Sequence, residues 1–409
     1  MIRPISLFLL LMLVLANREQ VKDDGYDSIG IFFCLFVLPF MSILAVRCKR
    51  IIKISPLYAT FIILLCLYFA INTFSWPQFL EKHFENMLFL NKLFWLLPTV
   101  IWLLVLWWVT SPVKNKLSWV SHRVRLDILL LMIPVYVLLA VTETAVALNV
   151  ESDVIALVEL VTMVLLVAWM PFFITVILSA KQMDNQELQH SIIEVATHSG
   201  IRHTKVFVWN THQQIMNAFA TGMAFQPKVL VITDKLIARL TTKELLAVTA
   251  HEYAHHKYLH TTFLVITAVM TIMVLRIIFP MLGVDNSSIF SHVAQLILVI
   301  LTIIIVLRQF ERQADAYSAF EMSGSVKGGV VTLEGQSALS NALGAIAFSQ
   351  NIDPNAFDLV HRSITSRQRY LHGLVGTTHV GLAINNRVVG IKIGLIITLI
   401  ITLVVNIFL

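Results

Sequence analysis

The chain has 409 residues, 57% of them apolar and only 13% charged, with a net charge of +6. Soluble domains carry about 45–50% apolar and about 25% charged residues, so this composition excludes a soluble globular domain and indicates an integral membrane protein. The three cysteines, Cys34, Cys48 and Cys66, lie in or beside apolar runs without repeated spacing. That excludes a disulfide framework and a thiolate zinc site and leaves them as small buried hydrophobes.

Apolar runs of about 20 residues, long enough to cross ~30 Å of hydrocarbon as helix, fall at 29–46, 54–75, 94–110, 127–149, 153–178, 262–283, 288–307 and 389–409. A shorter run, Ile5–Ala16, follows Met1-Ile2-Arg3. It is taken as a short first span, because Leu15-Ala16-Asn17 is a poor cleavage site; the alternative is the core of a signal peptide. Loop charges set the orientation. Arg47, Lys49, Arg50 and Lys53 crowd one link, and Lys114, Lys116, Arg123 and Arg125 another. The alternate links hold Asp23, Asp24 and Asp27, or only Val-Glu-Ser at 150–152. Basic loops stay cytoplasmic, so six N-terminal spans place residue 180 onward on the cytoplasmic side.

The organisation expected is a transmembrane bundle over 1–179, a first soluble half over 180–261, a transmembrane hairpin over 262–307, a second soluble half over 308–388 and a last span over 389–409. Glu143, Glu159 and Arg276 fall within apolar runs, where charged residues face a bundle interior, a partner or water. Glu143 and Glu159 lie near span ends and fit snorkelling equally well; Arg276 is deeper.

Within the first soluble half, QELQHSIIEVATHS (186–199) has helical periodicity and Gly200 is its stop. Lys205–Trp209 and Val229–Thr233 are short, β-branched and strand-like. NAFATG (217–222) lies between them. Thr241 and Glu244 form a capping-box pattern, so a helix starts there and runs through LLAVTAHEYAHHKYLH towards the next span.

That helix carries the chemistry. Residues four apart share a helical face, so His251 and His255 project side by side and can take two corners of a tetrahedral zinc site. Glu252, one step round, can reach a water at the metal without ligating it, and can take its proton. His-Glu-x-x-His is the arrangement of zinc metallopeptidases. His256 and His260 carry no ligand role and read as solvated or interfacial. A catalytic zinc needs a third protein ligand and an open position. RQFERQADAYSAF (308–320) offers Glu311 as that ligand and, on the same face, Asp315 to accept the free N–H of a zinc histidine. The plainer reading is a juxtamembrane helix whose acids pair with Arg308 and Arg312. A hairpin of two spans returns residue 308 to the face that residue 261 left, which favours the site.

Four segments together resemble the M48 family of membrane zinc metallopeptidases, which includes the HtpX-type quality-control proteases and the Ste24-type CAAX prenyl proteases. They are NAFATG (217–222), LTTKELLAVTAHEYAHH (240–256), ERQADAYS (311–318) and HRSITSRQRYL (361–371). The resemblance covers about 186–371. It implies that Asn217, Ala218, Phe219 and Ala220 form an extended edge pairing with substrate backbone, a β-augmentation mode. It implies that His361 and Arg367 stabilise the oxyanion or grip the substrate; their plainer reading is a basic juxtamembrane patch. Two prolines usually follow that histidine in the family, whereas Arg362 and Ser363 stand here, so the local backbone departs from the pattern.

The expected fold is mainly α: a polytopic α-helical membrane protein with a cytoplasmic-face zincin-like metallopeptidase domain carrying a small β element. The expected cofactor is one Zn2+ per chain, held by His251, His255 and Glu311. The expected partners are a peptide or membrane-protein substrate and the lipid bilayer, with no nucleic acid. The expected location is a bacterial cytoplasmic membrane, and the expected role membrane-protein quality control or processing. The alternatives are a prenyl-peptide protease, a receptor-type signalling metallopeptidase and a non-catalytic membrane scaffold.

Overall fold

The computed structural model describes residues 27–47, 56–83, 88–111, 116–202, 204–222, 228–284, 289–324, 329–379 and 382–408. The run Ile5–Ala16, Asp23 and Asp24, Cys48 and the basic residues Lys49, Arg50, Lys53 and Lys114 lie outside the described residues. The chain divides into two compact units, Met1–Val167 and Ala168–Leu409.

The described residues of the first unit are helical. Helix α1 (Ser28–Arg47) starts where the Asp27 carboxylate accepts the N–H groups of Ile29 and Gly30. It contains a π-helical turn at Phe33–Val37. Helices α2 (Pro56–Asn72), α3 (Trp76–His83), α4 (Leu88–Thr110) and α5 (Lys116–Arg123) follow, and α5 passes through a second π turn into α6 (Leu130–Ala147). Helix α7 (Ser152–Ile177) crosses the division between the units. Cys34 and Cys66 are buried, free and packed with Leu35, Leu67 and Ala70. Thr142 of α6 donates a hydrogen bond to Glu159 Oε1 of α7 at 2.8 Å, so Glu159 faces a neighbouring helix.

The second unit holds the sheet. Strands β1 (Lys181–Gln182), β2 (Thr204–Trp209), β3 (Ala218–Thr221) and β4 (Lys228–Thr233) form one sheet in the order β1-β2-β4-β3. β2 and β4 run parallel; β1 and β3 are antiparallel to their neighbours, which leaves β3 at an edge. Helix α8 (Gln186–His198) is capped by Asn185, whose side chain accepts the N–H of Leu188, and it ends before Gly200 at φ 78°. Its Ile192 and Ala196 join Val206, Leu230 and Ile232 of the sheet in one buried core.

After α9 (Asp234–Arg239), helix α10 (Thr242–Lys257) starts at the predicted capping box: Thr241 and Glu244 satisfy each other's backbone N–H. It does not run on into the membrane segment. Leu259 takes a left-handed conformation at φ 54°, and a new helix, α11 (His260–Met281), begins beyond it. Helix α12 (Ile289–Met322) is unbroken over 34 residues and carries an apolar stretch straight into ERQADAYSAF. Ser318 of α12 donates to the Ala247 carbonyl of α10 at 2.7 Å inside the core, fixing the two helices in register. Helices α13 (Leu333–Gln350), α14 (Ile364–His372) and α15 (Ala383–Phe408) complete the unit.

Among the described residues three helices are long and apolar enough to cross a membrane: Ser28–Arg47, His260–Met281 and Ala383–Val405. Shorter apolar helices cover Tyr58–Ile71, Leu96–Thr110 and Tyr136–Val146. Large side chains such as Phe32 and Phe40 on α1, or Ile393, Ile397 and Ile401 on α15, face outward. Such surfaces are stable against lipid rather than water. Arg276 is exposed on α11 rather than turned into that unit's interior.

Candidate metal centre

Every residue of the predicted site lies in the second unit. Helix α10 supplies His251, Glu252 and His255, and α12 supplies Glu311 and Asp315. The segment before α14 supplies His361, and α14 itself supplies Arg367.

His251 Nε2 and His255 Nε2 lie 3.4 Å apart. Glu311 Oε2 lies 3.5 Å from His251 Nε2, and Glu311 Oε1 lies 3.5 Å from His255 Nε2. Ligand bonds of about 2.0–2.1 Å arranged tetrahedrally put ligand atoms about 3.4 Å from one another. The two imidazole nitrogens stand at that spacing, and each has a Glu311 oxygen at nearly the same distance, so the three side chains converge as such a site requires. Glu311 Oε2 is buried with no hydrogen-bond partner among the described residues. Buried polar atoms are normally satisfied, so an unpaired carboxylate oxygen between two imidazoles marks a cation position. The residues present fit a zinc ion.

The surroundings hold these donors in the right form. His251 Nδ1 lies 3.0 Å from Asp315 Oδ1. Asp315 in turn accepts Nε and Nη2 of Arg367 at 3.0 and 2.6 Å. Burial opposes a charge on Asp315, but Arg367 and then His251 outweigh it and hold the carboxyl below its ordinary value. Asp315 is thus an acceptor only, and beside His251 Nδ1 it is placed to keep the ring's remaining proton there when a metal takes the Nε2 lone pair. Burial also opposes a charge on His251, yet Asp315 and Glu311 push it up to about 10. Burial, partly offset by Glu311, brings His255 down to about 4. Glu311 is held well below its usual value against burial, first by His361 and then by His251 and His255. One strongly negative pocket shared by close imidazoles is what a dication neutralises.

A parallel device on His255 was not legible in the sequence. His255 Nδ1 meets Nδ1 of His260 at 3.1 Å, and His260 Nε2 meets Gln313 Oε1 at 3.0 Å. Gln313 Nε2 donates to Asn385 Oδ1 at 2.9 Å, and Asn385 Nδ2 donates to the His379 carbonyl at 3.4 Å. The polarity runs one way. A backbone carbonyl only accepts, so Asn385 turns its amide nitrogen there and its oxygen to Gln313. Gln313 then presents its oxygen to His260, whose Nε2–H donates and whose Nδ1 accepts from His255 Nδ1–H. His255 Nε2 is left with its lone pair. The sequence reading of His256 and His260 as solvated or interfacial is overturned: both are buried, and the His260 ring stacks on Phe310 with centroids 4.3 Å apart. The signal available was spacing alone, since His260 falls five residues after His255, beyond the helix break.

Glu252 Oε2 accepts the Ala220 N–H at 3.2 Å. The Thr233 N–H to Asn217 carbonyl bond at 3.0 Å makes Asn217 and Thr233 a hydrogen-bonded pair. Alternation along an antiparallel ladder then turns the backbone groups of Ala218 and Ala220 away from β4. Phe219 pairs with Val231 between them. Glu252 keeps partial exposure, but burial of its carboxylate pushes it up to about 7, against the pull of His251.

His361 Nε2 lies 3.6 Å from Glu311 Oε2. Its backbone N–H is held by Asp358 at 2.7 Å. Arg367 is brought to the site by way of Asp315, on which Nε and Nη2 are both engaged. The plainer reading of 308–320 is overturned, because Glu311 and Asp315 face histidines and Arg367 rather than Arg308 and Arg312.

Residues 182–333 match the model of peptidase family M48. The match contains β3, His251, Glu252, His255, Glu311 and Asp315, whereas His361 and Arg367 lie beyond it. The crystal structure of S. mikatae Ste24p is similar to this chain with a TM-score of 0.52 at 17% identity, over 85% of this chain and 100% of that one. That likeness is one of fold, and it extends well past the M48 match into the membrane helices.

Proposed function

We propose that this protein is a zinc endopeptidase that cuts peptide or membrane-protein segments at the cytoplasmic face of a membrane, in membrane-protein quality control or processing. The observation that carries the reading is the near-equal spacing of 3.4–3.5 Å among His251, His255 and Glu311, with Glu252 on the same helix. When bound there, zinc supplies a lowered water pKa and a polarised scissile carbonyl.

The chain's own residues supply the rest. Glu252 takes the proton of the attacking water and passes it to the leaving amine; a group near pH 7 suits both steps. Its Oε2 is steadied by Ala220, leaving Oε1 for the proton. The outward backbone groups of Ala218 and the outward carbonyl of Ala220 offer an edge for an extended substrate, with Asn217 and Phe219 anchored to β4. His361 donates towards the carbonyl oxygen as negative charge develops. Arg367 serves as a positioning residue, acting through Asp315 on His251.

Glu252→Gln is expected to keep zinc and to abolish hydrolysis of an unfolded membrane protein or casein in detergent. His255→Ala is expected to lose the metal. Comparable proteolysis by the first variant, or full zinc content in the second, would remove those roles. The resemblance to Ste24-type enzymes also supports a prenyl-peptide substrate. A farnesylated peptide assayed beside its unmodified form separates the two substrate classes.

A further inference from the structure

Next to Glu311 and His361 lies a cavity whose other walls include Arg308, Arg312, Arg362 and Tyr370. Among the described residues none of these three arginines forms an ion pair with a carboxylate, and neither does Arg387 close by. The guanidinium of Arg312 sits over the Tyr370 ring at 5.0 Å, and that of Arg308 over Phe357 at 5.6 Å. Aromatic faces hold these groups in place and leave donor edges uncommitted. Arg308 spends one donor, Nε, on the Leu359 carbonyl at 2.9 Å.

Arg362 is the odd member. Its backbone is left-handed at φ 65°, a region uncommon for any residue but glycine and closed to proline. The family pattern has prolines after the histidine; a proline at 362 could not hold this turn. Here the turn sends an arginine whose Nε is buried with no hydrogen-bond partner. Burial, and then Arg312, Arg308 and Arg387, press that guanidinium below its ordinary range. Gathering three half-buried cations is costly when the carboxylates on the same cavity, Glu311 and Asp315, are engaged by histidines and Arg367, and strained backbone at such a place is retained where it serves a ligand.

We propose that this cavity is a carboxylate subsite: it takes a carboxylate of the peptide substrate, from an acidic side chain or a free C-terminus, close to the bond that is cut. The proposal rests on the peptidase reading above. The cavity shares Glu311 and His361 with the candidate metal centre, so a lipid headgroup lodged there would obstruct the centre, whereas a substrate anion would help seat the chain. Arginine recognises a carboxylate through paired N–H donors, which gives orientation as well as affinity.

The test uses the full chain, zinc-loaded, in detergent. One fluorogenic peptide that it cleaves is made in neutral form with an amidated end, as versions with Glu in place of Gln at each position flanking the cut, and as the free acid. The Glu series and the free acid distinguish the two sources of the carboxylate. At least one of these versions is expected to raise kcat/KM about tenfold or more over the neutral peptide, as a charge-assisted contact does. That ratio should shrink with ionic strength and fall towards one in Arg362→Gln and in Arg312→Gln, each checked for zinc content as a measure of folding. If the neutral peptide is cleaved but no carboxylate raises kcat/KM, or if the preference survives both substitutions, the subsite is overturned and the peptidase reading stands. A dependence on anionic vesicles that both substitutions abolish, with no peptide preference, overturns it in favour of a lipid headgroup. Failure to cleave any peptide overturns the peptidase reading and the subsite with it.

Discussion

Asp315 is where a single side chain does most for the site. It is buried between His251 and Arg367 and faces both. Removing one partner of a buried ion pair leaves the other charge unsolvated, at about 3–5 kcal/mol. Asp315→Ala is expected to lower unfolding stability by that order, and Asp315→Ala with Arg367→Met to recover part of it, measured by thermal unfolding in detergent. On the other side of the centre, His260→Phe keeps a ring to stack on Phe310 but removes the acceptor for His255 Nδ1. Zinc affinity, read by competition with a chromogenic chelator, should fall about 10–100-fold, the usual effect of losing a ligand's supporting hydrogen bond. The two devices differ in how visible they are in the sequence. Asp315 stands four residues after Glu311, so helix geometry alone puts the two on one face. Gln313 meets His260 across 53 residues and Asn385 across 72, and no local spacing encodes such a meeting.

At the scale of elements, what local rules govern was legible. The capping box of α10, the stop of α8 at Gly200 and the two central strands follow from caps, turns and β-branched runs. The break between α10 and α11 was not, because nothing in His-Lys-Tyr-Leu-His interrupts helical propensity. Tertiary contacts impose it: His260 is drawn onto Phe310 and Gln313, and Leu259 takes the strained turn that this requires. Leu259 is 39% exposed, so its side chain contributes little packing. Leu259→Gly is therefore expected to be neutral or slightly stabilising, since glycine accepts positive φ freely. Leu259→Val should cost about 1–2 kcal/mol, because a β-branched residue resists that region. Equilibrium unfolding of the two variants checks the sign.

For the molecule as a whole, composition alone announced the membrane, while the sheet order depends on pairings that only the folded chain displays. The proposed ligands come from two helices, α10 and α12, separated in sequence by the α11 segment. A metal that binds only the folded arrangement stabilises it by mass action, about 4 kcal/mol at a thousandfold excess over Kd. Chelation by 1,10-phenanthroline is expected to lower the unfolding temperature, and zinc to restore it. Glu252→Gln should show the same chelator-dependent shift while remaining inactive, which separates the structural from the chemical effect of the ion. No shift in either protein would mean that the two helices meet without help from a metal.

The unbroken α12 also sets a height. Glu311 rides only three residues beyond Arg308, where the apolar stretch of that helix ends, a rise of about 4.5 Å. On the proposed peptidase reading, with the apolar stretch of α12 in the bilayer, the metal centre would be carried by a continuous helix about one turn beyond that stretch. That reading would favour polypeptides tethered in or lying along the bilayer surface, whereas a compact protein floating free would first have to be unravelled to bring a strand down to it.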